Sequence, residues 1–228
     1  MSSAIQSSAR RSSQGSLLVP MIGHAHAEVL GDVIDYLAVG VILTDAKGHP
    51  LWFNRSATEL IASNAGLSFT NGNLETVDSF ATRQLQELLK RAVAHDESQP
   101  LAASVFAVLI PREDRQGALS VVVAPVSRAS SNDNKTDVAA IVFVSDPDAG
   151  MELPAGLLHR LFGLTRSESR VAAAMARGES LDGAAKASAI KISTARTHMK
   201  KIFAKTGRHG QTDLVRMLTR SFGFVRFD

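Results

Sequence analysis

Apolar residues recur at positions 29, 30, 33, 34 and 37, the spacing of one helix face. The pattern then changes. Gly40 opens the apolar run "GVILT", Asp45–Gly48 interrupts it, and "PLWF" resumes before Asn54. This predicts a strand, a tight reversal and a second strand, since Asp supplies local hydrogen bonds and Gly a permissive backbone. Asn54 or Ser56 is placed to cap a helix carrying Ala57, Leu60 and Ile61. "SFTNGNLE" reads as extended and turned, and a longer helix comes next over about 77–95. Three further strands are predicted in "LAASVFAVLI", "GALSVVVAPV" and "DVAAIVFVSD", separated by "PREDRQ" and "SRASSNDNKT". Two strands, intervening helices and three more strands make a five-stranded antiparallel sheet with helices on one face the economical arrangement.

After "PDAGMELPAG" (147–156), with its two prolines and two glycines, the periodicity is helical almost throughout. Thr165 with Glu168 three residues later forms a capping box, and Gly178 closes that helix. Ser180 caps a second, short helix in which alanines 184, 185, 187 and 189 suit close approach to another helix. Ser193 or Thr194 is predicted to start a third helix that ends at Gly207, and a fourth spans about Gln211–Arg220 with Leu214, Val215 and Leu218 inward. The third helix divides cleanly: Ala195, Met199, Ile202 and Phe203 form an apolar stripe beside Arg196, Thr197, Lys200 and Lys201. One face is built for a core, the other for solvent or a polyanion.

Charge distribution sharpens that choice. Residues 155–228 hold 14 Lys and Arg against 5 Asp and Glu, a net of +9, whereas residues 1–154 hold 11 against 17, a net of −6. A basic domain joined to an acidic one points to a polyanion met by the second half alone. The second and third helices, separated by a brief turn, fit a helix-turn-helix whose later helix enters a DNA major groove. Lys191, Lys200, Lys201, Lys205 and Arg208 would draw phosphates, with Ser193 beside them at the helix start, while Arg196 and Thr197 are better placed for base edges.

Other chemistry is sparse. At 228 residues two domains are expected. With no cysteine there is no disulfide, thiolate metal site or cysteine nucleophile. No apolar run approaches the roughly 18 residues of a membrane span. The segment after Arg10 and Arg11 is too polar for an export signal, so a cytoplasmic location is expected. Residues 1–27, rich in Ser and small residues, read as a flexible arm. His24, His26 and Glu28 imitate a metal cluster, but histidines two apart share no helical face. His198 has no acidic neighbour in sequence and reads as a packing or phosphate-facing histidine.

The stretch Leu164–Leu218 resembles the LuxR-type helix-turn-helix domain of bacterial transcription regulators. The resemblance rests on Leu164 and Thr165 with Glu168, Gly178, the Ser193–His198 start of the third helix, "IFAKTG" at 202–207 and "DLVR" at 213–216, and it runs 55 residues without a gap. It implies DNA base contacts from Thr194, Arg196, Thr197 and Lys200, with Lys201 and Lys205 as backbone neighbours. Departures from the family pattern are Ser188, Ala189 in place of a turn glycine, Lys191, Ala195 in place of valine, and Gly210.

Residues 30–145 resemble a PAS domain through "GVILTDAKGHPLWFNRSATELI" and the order of elements. PAS domains bind flavin, haem, small metabolites or nothing, and often dimerise. Flavin chemistry through a reactive cysteine is excluded, and His49 and His95 are the candidate haem ligands by residue type only, so no cofactor is expected. Trp52, Phe53, Phe106 and Phe143 either line a cavity or fill a core, filling being their ordinary use.

The expected organisation is an arm at 1–27, a PAS-like sensory and dimerisation domain at 28–146, a linker at 147–160, and an all-α, four-helix DNA-binding domain at 161–228. Its expected partners are double-stranded DNA bearing an inverted repeat, a second copy of the chain, RNA polymerase, and an unidentified small molecule. A receiver is disfavoured because Asp45 lies in a hairpin turn, and a sigma factor because 101–145 read as strands. An enzyme is disfavoured because no nucleophile–base pair, metal spacing or phosphate loop shows in the sequence. The remaining rivals are an adaptor using the first domain, and a constitutive regulator whose first domain only dimerises.

Overall fold

A computed structural model describes residues 24–95, 100–113, 117–126 and 137–227. The chain divides into two compact units, 1–147 and 148–228, the first mixed α and β and the second all helical. Of the arm expected at 1–27, residues 1–23 lie outside the described residues and 24–27 are helical.

The first described helix, α1 (His24–Asp35), starts four residues before position 28, where the sheet domain was expected to begin. The alanines of "HAHAE" favour helix and nothing there breaks it. The side chains of His24, His26 and Glu28 lie outside the described residues. Strands β1 (Gly40–Thr44) and β2 (Pro50–Phe53) form the predicted hairpin. Asp45 Oδ1 accepts the main-chain N–H groups of Lys47 and His49, both at 2.8 Å, and Gly48 takes φ +83°.

Asn54 caps helix α2 (Arg55–Ala62). Strands β3 (Leu67–Thr70) and β4 (Asn73–Thr76) form a second hairpin across Asn71 and Gly72, at φ 52° and 87°. The stretch expected only to be extended and turned is thus a paired ribbon, and Asn-Gly is the strong signal for its two-residue reversal. Helix α3 (Ser79–Val93) is capped by Asp78.

The first strand predicted from Leu101 starts later. Leu101–Ser104 form a short 3₁₀ turn, and β5 runs from Phe106 to Pro111, followed by β6 (Ala118–Pro125) and β7 (Ala140–Ser145). Small residues in "LAAS" offer little to a pleated surface, whereas "FAVLI" offers much. The five strands pair antiparallel in the order β2-β1-β7-β6-β5. Ile42, Val142, Val144, Val121, Val123 and Ile110 share one face with Ile61 of α2 and Leu85 and Leu89 of α3.

The four aromatic residues expected together are divided by that sheet. Phe53 and Phe106 pack against the core, Phe53 edge-on to Phe69 at 5.6 Å and Phe106 beneath the Arg91 guanidinium at 4.2 Å. Trp52 pairs with Leu43, and Phe143 with Val41 and Val122, all one residue out of step with the core positions. Alternation along a strand places them on the opposite face.

The described residues of the second unit hold five helices where four were expected: α4 (Ala155–Phe162), α5 (Arg166–Ala176), α6 (Leu181–Ala187), α7 (Ile192–Thr206) and α8 (Gln211–Phe222). The addition, α4, lies largely in the stretch expected as a linker. Pro154 and Gly156 suggested a break, but proline suits a helix start, and Leu153 and Leu158 are buried in the core with Leu164, Val171, Met199 and Leu214. The capping box of Thr165 and Glu168 is formed, and Ser180 Oγ accepts from Gly183 N–H. Ser193 and Thr194 lie inside α7 instead of capping it; Lys191 precedes the helix and makes no side-chain cap.

Candidate nucleic-acid interface

The α6–α7 pair is closed by a turn at Ser188–Ile190. Ile190 N–H reaches back to the Ala185 carbonyl and Ala189 N–H to that of Lys186, each at 3.0 Å, with Ala189 at φ +53°. This is a helix C-terminal motif that normally uses glycine at the left-handed position. Ala184, Ala185 and Ala195 are all buried, so small side chains fill the interior of this helical corner.

Helix α7 turns Ala195, Met199 and Ile202 fully inward and Phe203 partly so. Ser193, Thr194, Arg196, Thr197, Lys200 and Lys201 are exposed, and so is Lys191 ahead of the helix. Positions 193, 196, 197 and 200 follow the i, i+3, i+4, i+7 spacing of one stripe, with 194 and 201 along its edge. Among the described residues, Lys191, Arg196, Lys200 and Lys201 make no ion pair. The Thr197 hydroxyl donates to the Ser193 carbonyl at 3.1 Å, which leaves its methyl group and oxygen lone pairs for a ligand. The stripe is thus a row of cationic and hydroxyl groups on a helix held from behind.

Two predicted phosphate contacts are occupied differently. Lys205 Nζ donates to Glu168 Oε2 at 2.7 Å and to the Gly163 carbonyl at 2.9 Å. Burial pushes the Glu168 carboxyl up, but the Lys205 ammonium and the Thr165 N–H outweigh it and hold the group below its ordinary value. Arg208 lies 3.9 Å from Asp213, which also accepts from Arg216 at 2.7 Å. The Arg216 hydrogen bond is the main cause holding Asp213 below the usual carboxylate range. The capping box revealed Glu168; its partner, 37 residues away, left no local signal.

The other candidate chemistry does not assemble. His198 is half-buried and no hydrogen-bond partner reaches its Nδ1. His49 Nδ1 lies 3.1 Å from Asp45 Oδ2 within the hairpin turn. Burial pushes Asp45 up, yet hydrogen bonds from the main chain and side chain of His49 and the main chain of Lys47 hold it low. His95 Nδ1 and Ser104 Oγ meet at 2.7 Å, a nucleophile–base pair that sequence spacing did not reveal, and no carboxylate among the described residues extends the pair. Among the described residues, no three His, Asp or Glu side chains cluster to hold a metal. No described helix is long and apolar enough to cross a membrane.

No protein-family model matches the chain, and no curated protein matches its sequence significantly. Among solved structures the chain is similar to a phage VqmA in complex with DPO, at 15% identity over 86% of this chain and 89% of that one, with a TM-score of 0.38. It is also similar to the Vibrio cholerae VqmA dimer that shifts conformation in the absence of target DNA, at 16% identity, 83% and 86% coverage and a TM-score of 0.35. A third is the Vibrio cholerae VqmA–ligand–DNA complex, at 18% identity, 85% and 87% coverage and a TM-score of 0.36.

Proposed function

We propose that the chain is a sequence-specific, DNA-binding transcription regulator in which α6 and α7 form a LuxR-type helix-turn-helix and the sheet unit is a PAS-like sensory and dimerisation domain. The observation that carries this reading is the unpaired stripe on α7, set opposite a buried apolar stripe on the second helix of a tightly turned pair. A helix of ordinary diameter fits the major groove, and the residues near its start meet base edges. Thr194, Arg196, Thr197 and Lys200 take that role. Lys191, Ser193 and Lys201 take phosphates, and Arg208 joins them only by leaving Asp213.

Dimeric binding is part of the proposal. On α1, Val29 and Val33, with Tyr36 just beyond the helix, are exposed at one-face spacing, which supports self-association through the sheet unit. Two such chains would present paired helices to an inverted repeat with centres about 34 Å apart or a multiple of it. A small-molecule signal in the sheet unit would then act on that spacing, and RNA polymerase would be the downstream partner. A regulator of this kind works in the cytoplasm, beside the chromosome.

The test is selection of bound sequences from random DNA with the purified full chain at stated salt, then titration of the best site. An inverted repeat whose affinity falls on Arg196→Ala supports the reading. Selection that recovers no motif, together with binding indifferent to Arg196→Ala and Lys200→Ala, overturns it in favour of a protein adaptor.

A further inference from the structure

We infer that Lys205 positions helix α7 on its domain and is not one of its DNA contacts, an inference that rests on the DNA-binding reading of α7. Its ammonium carries three donors. Two are spent, on Glu168 Oε2 at 2.7 Å and on the Gly163 carbonyl at 2.9 Å. Gly163 is the left-handed residue that ends α4, and Glu168 is the capping-box residue that opens α5, itself holding the Thr165 N–H at 2.8 Å. One side chain therefore joins the last turn of α7 to the end of one helix and the beginning of another.

The Glu168 side chain is only 3% exposed. If Lys205 turned toward a phosphate it would leave that carboxylate buried without its cation, and the end carbonyl of α4 would lose a donor. No such cost attaches to Lys200 or Lys201, which have no ion-pair partner to abandon among the described residues.

Position along the helix explains what the tether does. Arg196 lies nine residues before Lys205, about 13 Å along the axis at 1.5 Å per residue. A tilt of about 10° at the tethered end would move Arg196 by roughly 2 Å, more than a base-reading geometry tolerates. Fixing the last turn thus aims the first.

The experiment compares the full chain with Lys205→Gln, Lys205→Arg and Glu168→Gln on the selected DNA site, at a temperature where each is folded. Loss of a phosphate contact lowers the slope of log affinity against log salt by about 0.9. For Lys205→Gln we expect about ten-fold weaker binding at every salt concentration with the slope unchanged, and a reduced ratio between the selected site and a single-base variant of it. Lys205→Arg should restore both. Glu168→Gln should weaken binding as well, although it removes a negative charge and releases Lys205.

A slope lowered by about one in Lys205→Gln, with tighter binding in Glu168→Gln, would make Lys205 a phosphate contact and overturn the inference. So would an unchanged discrimination ratio. If the wild-type chain binds no DNA, it is the functional reading that has failed, and amide exchange still judges the tether. Lys205→Gln should then speed exchange at 202–206 at least ten-fold, and unchanged exchange there would overturn it. If Lys205→Gln does not fold, Glu168→Gln carries the same comparison.

Discussion

Asn54 Oδ1 accepts the main-chain N–H of Val41 at 2.8 Å while it caps α2 through Ala57 N–H at 2.9 Å. Its amide donates in turn to the carbonyls of Ile34 and Val39, at 3.1 and 2.9 Å. One fully buried side chain therefore joins the end of α1, the first strand and the start of α2, with every donor used and both lone pairs engaged. Replacing it with alanine removes a cap and strands buried main-chain groups, at a cost of about 3 kcal/mol. The single tryptophan, Trp52, lies two residues away and reports on this unit. Its fluorescence during urea unfolding should show a lower midpoint in Asn54→Ala; an unchanged midpoint would mean that water replaces the network without loss.

Ala189 holds a left-handed backbone that costs a residue with a Cβ about 1–2 kcal/mol. It is exposed, so glycine there relieves the strain without opening a cavity, and some of the gain is offset by the greater freedom of glycine in the unfolded chain. Ala189→Gly should stabilise the α6–α7 corner by about 0.5–1 kcal/mol. Slower amide exchange across 184–199 would show it, and faster exchange would refute the assignment of strain.

Lys191 and Lys201 are exposed and make no ion pair among the described residues, so on DNA each should release a counterion. Alanine at either position should lower the salt slope by about 0.9 and weaken all sequences alike. Arg196→Ala should instead cost about 1–3 kcal/mol on the selected site and relax the preference at one base position. Equal losses on selected and random DNA for Arg196→Ala would move that residue to the phosphate group.

Glu168 makes stability depend on acid. Its carboxyl is held lower in the folded chain than its ordinary value, so the pairing contributes fully above the unfolded value of about 4.3 and is lost as pH falls through the lower folded value. At neutral pH, Glu168→Gln should be less stable than the wild type by about 2 kcal/mol, since Lys205 and Thr165 N–H lose an ionic acceptor. That gap should close in strong acid. Far-UV circular dichroism of both chains between neutral pH and pH about 2 checks this; a gap that stays constant would remove Glu168 from the acid response.

Features decided within a few residues were legible in the sequence by itself. The hairpin at Asp45–Gly48, the capping box at Thr165 and Glu168, the stops at Gly178 and Gly207 and the two stripes of α7 all depend on neighbours along the chain, whose side chains reach the same turn or the same helical face. Helix α4 was not legible, because a Pro-Gly-flanked segment of eight residues becomes helical only when Leu158 is buried by distant helices.

The same limit applied to the candidate site. The exposed stripe could be read from helical period, but whether a given lysine on it was free could not, since Lys205 is claimed by a carboxylate 37 residues earlier. Which face of the sheet Phe143 takes was likewise set by the pairing of β7 with β1, about a hundred residues earlier. Local pattern determined what each segment can become; only the packing of remote segments decided which of its groups were left over to meet a ligand.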